Sequence, residues 1–273
     1  MPAVGRPVHL LSVVSLSVLA LFVFVILVLL ASDVAYLVVH DVSWGDFGDI
    51  LTSRAVRSAI RMSLITSLTS LLLVVAFSVP IGYALSRYRF PGHTLLNTMV
   101  DVPIVLPPVV IGLSLLAFFG TPVGDAIRLA MKSGGWSMIS GIGIVLCQFL
   151  VSVSYAIRAT KASFDSVDRR LEHVALTLGC SRWRAFRTVT LPLARNGLIA
   201  GAVMAWARAI GVFGPLMVFV GTGPRVQVMP TSIWLELSIG NIEVSLAIAL
   251  VSVAIAGAAL AVVHWLAPGR HWT

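Results

Sequence analysis

Residues 171–192 read LEHVALTLGCSRWRAFRTVTLP and gather a carboxylate, an imidazole, three arginines and a glycine in one short segment. These groups can dock a partner through charge and apolar contact. Leu171, Val174, Ala175 and Leu178 follow i, i+3, i+4, i+7 spacing, which is one apolar face of a helix. Gly179 then supplies a residue suited to the left-handed conformation at a helix end. Ser181 is placed to cap a second short helix carrying Trp183, Phe186 and Val189, and Pro192 is expected to end or kink it. Two uses of such a pair stand side by side. Its arginines could hold it on anionic lipid, or its apolar face could seat on another protein.

Two further stretches carry residues that a plain lipid-facing helix would avoid. One is VLPPVVIG, with Pro107, Pro108 and Gly112, following Pro103 and Asp101. Prolines remove backbone donors, which is tolerated at membrane depth where neighbours or a cavity satisfy the freed groups. The other is ARAIGVFGP, with Arg208, Gly211, Phe213, Gly214 and Pro215. A charge inside a span is costly and faces the bundle interior or an aqueous path. Arg208 is expected near mid-span, either facing a pore or pairing with Asp101 or with helix carbonyls.

Covalent chemistry finds no comparable support. A phosphate cradle of the G-x-x-x-x-G-K-[ST] type needs a lysine in context, and neither Lys132 nor Lys161 has it. The histidines, His9, His40, His93, His173, His264 and His271, fall at span ends or in loops, and no H-E-x-x-H or G-x-S-x-G occurs. Cys147 and Cys180 read as packing residues rather than a disulfide. No catalytic residue, metal site or cofactor is expected, and an intramembrane enzyme is the weaker reading. A secondary transporter is a further alternative, though no repeat between halves is evident.

The elements that must position these residues are membrane helices. Of 273 residues, 58% are hydrophobic and only 11% charged, against about 25% charged in a soluble domain. This excludes a soluble globular domain, a disordered chain and a nucleic-acid binder. Six runs approach the ~20 apolar residues a spanning helix needs: 10–31, 59–85, 95–120, 138–157, 197–220 and 244–266. Their lack of alternation excludes a β-barrel. The first run exceeds the 7–15 residues of a signal-peptide core, so it is expected to remain as a helix. The chain is thus all-α and polytopic, one domain over 1–273 with a loop at about 158–196.

The net charge of +8 is unevenly placed. With a cytoplasmic N-terminus, inside segments hold twelve of the basic residues, eight of them Arg158, Lys161, Arg169, Arg170, Arg182, Arg184, Arg187 and Arg195. Outside segments hold six, Arg54, Arg57, Arg61, Arg128, Lys132 and Arg225, and the first is acidic, with Asp33, Asp41, Asp46 and Asp49. By the positive-inside rule both termini face the cytoplasm.

On the residues of 171–192 the chain resembles the permease subunits of bacterial ATP-binding-cassette importers. Their cytoplasmic signature is Glu-Ala-Ala, three residues, Gly, nine residues, an apolar residue, one residue, then Leu-Pro. Ala175, Gly179, Val189, Leu191 and Pro192 match, whereas the glutamate falls on His173 and the first alanine on Val174, with Glu172 one position earlier. His173 is then either a plain imidazole or a weakly pH-sensitive contact. VLPPVVIG and ARAIGVFG are similar to segments of molybdate, tungstate and sulfate permeases, whose fifth span commonly reads Ala-Arg-Ala-hydrophobic-Gly-Glu-Phe-Gly. Arg208, Gly211, Phe213 and Gly214 match, and Val212 replaces the glutamate.

The resemblance implies a homodimer in the cytoplasmic membrane, separate ATPase subunits on the coupling loops and an extracytoplasmic solute-binding protein. It implies an oxyanion cargo, with thiamine, iron, polyamine or phosphate-like solutes as alternatives. It also makes Arg208, Gly211, Phe213, Gly214, Pro107 and Pro108 candidates for the translocation path or gate.

Overall fold

The computed structural model describes residues 6–40, 44–133, 141–221 and 227–266. The start of the fourth expected span, and Asp41, Arg225, Arg270 and His271, lie outside the described residues. The elements in chain order are thirteen α-helices with a π-turn at Phe186–Thr190.

The first is α1 (Arg6–Val39), apolar all round and exposed along its spanning stretch, as suits a helix wetted by lipid on every side. A short α2 (Trp44–Thr52) leads to α3 (Arg54–Arg87), capped by Ser53, whose hydroxyl accepts from the Val56 N–H at 3.3 Å. The third expected span is two helices, α4 (His93–Val105) and α5 (Pro108–Phe119), bent by 106° at Leu106 and Pro107. Pro107 and Pro108 cannot donate to the preceding turn, so the chain stops and restarts there. The amphipathic α6 (Pro122–Ser133) follows.

Next come α7 (Gly143–Asp165), α8 (Arg169–Thr177) and α9 (Arg182–Ala185). A π-turn (Phe186–Thr190) joins α9 to α10 (Leu191–Ile210), and the run Arg182–Ile210 is one continuous 29-residue helix. Pro192 therefore neither ends nor kinks a helix as expected. It is the second residue of α10, and the π-turn absorbs its missing donor: the Leu191 N–H reaches back five residues to Phe186 O. The chain closes with α11 (Gly214–Phe219), α12 (Met229–Ser238) and α13 (Ile242–Leu266). Among the described residues, five helices are long and apolar enough to cross a membrane, or six if the bent pair α4–α5 counts as one span.

Small residues set the packing. The buried stripe of α3 includes Ala59, Ser63, Ser67, Ser70, Val74, Ser78 and Gly82, one every third or fourth position, and it faces α7. A Cβ on Gly82 would come within 2.7 Å of Thr160 Cγ2. On the neighbouring face of α7, a Cβ on Gly201 of α10 would lie 2.6 Å from Ala159 Cβ. So α3, α7 and α10 pack against one another, with Val74, Ala156 and Ala205 at their junction. Two serines of the α3 stripe accept from other helices: Trp206 Nε1 of α10 donates to Ser67 Oγ at 3.1 Å, and the Met229 N–H of α12 to Ser63 Oγ at 2.7 Å.

Candidate functional site

The loop after α7 begins later than its sequence suggests. Arg158 and Lys161 lie on α7 itself, so the projecting element is α8, the Gly179 turn and α9. Asp168 caps α8 by accepting from the Arg170 N–H at 2.9 Å. At its other end Gly179 has φ 83°. The Gly179 N–H donates to Leu176 O and the Cys180 N–H to Ala175 O, the paired bonds of a Schellman ending. Ser181 then caps α9, accepting from the Arg184 N–H at 3.3 Å.

Adjacent residues on α8 point in different directions, and this decides the roles of Glu172 and His173. The Glu172 carboxylate turns inward and is 13% exposed, accepting from Arg87 Nε at 2.7 Å, Thr190 Oγ1 at 2.7 Å and Tyr83 Oη at 3.2 Å. Arg87 also donates to Val167 O at 3.0 Å. One acid thus ties α8 to the end of α3 and to the π-turn. Beside it Tyr83 packs edge-on against Phe164 and Phe186, with ring centroids 5.5 and 4.8 Å apart. His173, in the register of the signature glutamate, lines a cavity next to this clamp instead.

The outer face of the projection is exposed. Leu171, Val174, Leu178 and Trp183 are 47%, 56%, 79% and 66% exposed, while Ala175, on the inner side, is buried. Val189 and Leu191 occupy the π-turn and the start of α10.

The two proline–glycine stretches meet. A Cβ on Gly112 of α5 would be 2.7 Å from Pro215 Cα, and one on Gly214 would be 3.0 Å from Val109 Cγ2. Gly211 is the C-cap of α10 and Phe213 the N-cap of α11. Pro107 is exposed at the α4–α5 bend and Pro108 half-buried. Val212, where similar permeases carry glutamate, is 3% exposed and packs with Ile111, Cys147 and Leu216.

Arg208 is not at mid-helix. The apolar run 197–220 is broken at Gly211, so Arg208 falls in the last turn of α10, where a cation suits the helix dipole. It is exposed, with Cζ 5.8 Å from the centre of the Tyr155 ring, and makes no ion pair among the described residues. Asp101 is not its partner. That carboxylate is held by Arg158, which also donates to Asn97 Oδ1 at 2.8 Å and so pins α4 to α7. Neither this pair nor the Arg87–Glu172 clamp was evident from sequence, where Arg158 read only as a topology charge.

A membrane bundle with a bent third span and a capped helical projection after the fourth is the architecture of an importer's membrane subunit. The chain belongs to the family of binding-protein-dependent transport system inner membrane components, whose model matches residues 78–271. It is 35% identical over 211 residues to the molybdenum transport system permease protein ModB of Escherichia coli K12, covering 77% of this chain and 92% of that one. It is 39% identical over 174 residues to the molybdate/tungstate transport system permease protein WtpB of Thermococcus kodakarensis, covering 64% of this chain and 65% of the relative's length. A crystal structure of a bacterial ABC transporter that imports the polysaccharide alginate contains a chain of the same fold, with TM-score 0.75 at 16% identity over 98% of this chain and 97% of that one. The expected all-α polytopic fold and the importer-permease resemblance are both borne out.

Proposed function

We propose that this chain forms the membrane path of an ATP-driven importer for a tetrahedral oxyanion of the molybdate, tungstate or sulfate type. The observation that carries the reading is the α8–α9 projection, rigidly clamped from within by Glu172 and apolar on its outer face. A separate ATPase subunit seats on Leu171, Val174 and Leu178. The signature residues Ala175, Gly179, Val189, Leu191 and Pro192 build that projection, with Glu172 as its anchor and His173 beside it. The chain acts as one domain, two copies enclose the path, and an extracytoplasmic binding protein delivers the cargo. Both termini and the projection lie in the cytoplasm, on the side favoured by the basic residues.

The chain carries no phosphate cradle of its own, so hydrolysis belongs to the partner. Closure of the ATPases favours one of two packed arrangements of the bundle and so opens the path to the opposite side. The contact of α5 with α11, beside Pro107, Pro108, Gly211, Phe213 and Gly214, forms the gate, and Arg208 provides the positive charge on the path. The names of the relatives support the cargo, and Arg208 is consistent with an anion.

The test is reconstitution with the ATPase and binding protein in liposomes. Gly179→Val forces a β-branched residue to φ 83°, a cost of about 1–3 kcal/mol, and is expected to abolish cargo-stimulated ATP hydrolysis while the protein still inserts. Undiminished stimulation would remove the coupling role from the projection. Uptake of labelled molybdate and sulfate by the unmodified complex then decides the cargo.

A further inference from the structure

We infer that the junction of α3 with the α8–α9 projection is a binding site for one anionic phospholipid. Two cavities adjoin there. The first, about 220 Å³, is lined by Arg87, Arg169, Glu172, His173 and Arg182. The second, about 470 Å³, is a mainly apolar groove between Val79, Pro80 and Ala84 on α3 and Trp183 and Phe186 on the other wall. Tyr83, Tyr88 and Arg182 line both, so the two lie side by side.

Charge defines one end of the ligand. Glu172 is the single acid lining the first cavity, and Arg87, Thr190 and Tyr83 already occupy its oxygens. Arg169 donates to a neutral acceptor, Ser86 O, which leaves its charge uncompensated. The Arg182 guanidinium has no hydrogen bond or ion pair among the described residues. Two positive charges therefore line a mainly apolar cavity whose one acid, Glu172, is already paired with Arg87. A phosphate diester satisfies both.

Depth defines the other end. Val79 precedes Arg87 by eight residues, which is about 12 Å along the helix axis into the spanning part of α3. A free phosphate fills the first cavity and leaves the groove empty. A water-soluble protein does not reach that far below the charged rim. A phosphodiester with an acyl chain fills both, with the exposed rings of Tyr88 and Trp183 at the boundary where aromatic side chains settle among headgroups. Anionic lipid is supplied by the cytoplasmic leaflet, so the assignment rests on the orientation given under Proposed function. A lipid bound there would bridge α3 and the projection.

The experiment is native mass spectrometry of the purified full-length chain, titrated with phosphatidylglycerol or with phosphatidylcholine of the same acyl chains. The expected result is one phosphatidylglycerol retained per chain in preference to phosphatidylcholine. Arg182→Ala should weaken that retention about five-fold, the usual effect of one basic residue at a lipid surface. Trp183→Ser, which opens the groove and spares every charge, should weaken it as well. Equal retention of the two lipids, or indifference to both variants, would overturn the site. Displacement of the lipid by millimolar inorganic phosphate, with Trp183→Ser silent, would also overturn it in favour of a water-soluble anion. ATPase co-purification, scored separately on the same chain, reports on the importer reading: lipid preference without ATPase binding sinks that reading alone, and ATPase binding without lipid preference sinks the site alone.

Discussion

Glu172 accepts from donors on two separate elements, Tyr83 and Arg87 on α3 and Thr190 in the π-turn, so its removal leaves Arg87, only 6% exposed, without its counter-ion. Breaking a buried pair by removing one partner costs about 3–5 kcal/mol. Glu172→Ala is therefore expected to lower the thermal midpoint of the purified permease and to reduce ATPase co-purification. His173→Ala, one position on, should leave the midpoint nearly unchanged. Comparable losses from both would show that the clamp does not hold the projection. Sequence spacing assigned the signature acid to His173, and only the three-dimensional direction of the two side chains, about 100° apart on a helix, separates their roles. Gly179 and Ser181 were legible from sequence because helix ends are local: a glycine after an apolar run and a serine before the next carry their own geometry.

At the scale of elements, α7 is held by contacts too close for ordinary side chains. Gly201→Ala would place a methyl 2.6 Å from Ala159 Cβ, and overpacking of this kind costs about 1–3 kcal/mol. Ala159→Gly, made together with it, should recover most of the loss, and a double-mutant cycle on thermal midpoints measures this coupling. Additive losses would place α10 farther from α7. A similar exchange checks the Arg158–Asp101 pair between α7 and α4. Arg158→Ala and Asp101→Ala should each destabilise the chain, and the two together should cost less than their sum.

The apolar spans were readable from composition, because twenty apolar residues in a row have few uses outside a membrane. Their interruptions were not. The Gly211 break lies within a continuous apolar run, so hydrophobicity alone carried the fifth span on to residue 220 and placed Arg208 too deep. Partners such as Arg158 and Asp101, 57 residues apart, depend on which helices become neighbours, and no local pattern encodes that.

For the whole molecule, Arg208 is the test of how path and cargo meet. It is exposed beside Tyr155 in the single chain, and in the proposed dimer it would be available to the space between the two copies. Arg208→Ala should lower oxyanion uptake in proteoliposomes at least ten-fold, about 1.4 kcal/mol, with ATPase co-purification unchanged. Arg208→Lys should restore part of the uptake. Full uptake by Arg208→Ala would reduce the residue to a helix-terminal charge. The acidic position of similar permeases is filled by buried Val212 here, so Arg208 has no carboxylate four residues on, and in the proposed path its charge would be open to the cargo.

The π-turn has a mechanical consequence. Because it carries the helix past Pro192 without a break, the arginines of α9 and the Arg208–Gly211 end of α10 are opposite tips of a single rod of 29 residues, about 43 Å long. A rod does not absorb displacement as a flexible linker would. Tilting one tip swings the other in proportion to its distance from the fulcrum, and the tight crossing of α10 over α7 at Gly201 supplies that fulcrum between the tips. Under the proposed coupling, a modest push on the projection would be converted into a sweep of Arg208 and of the α11 segment beyond Gly211, and leverage geometry would set the stroke of the proposed gate.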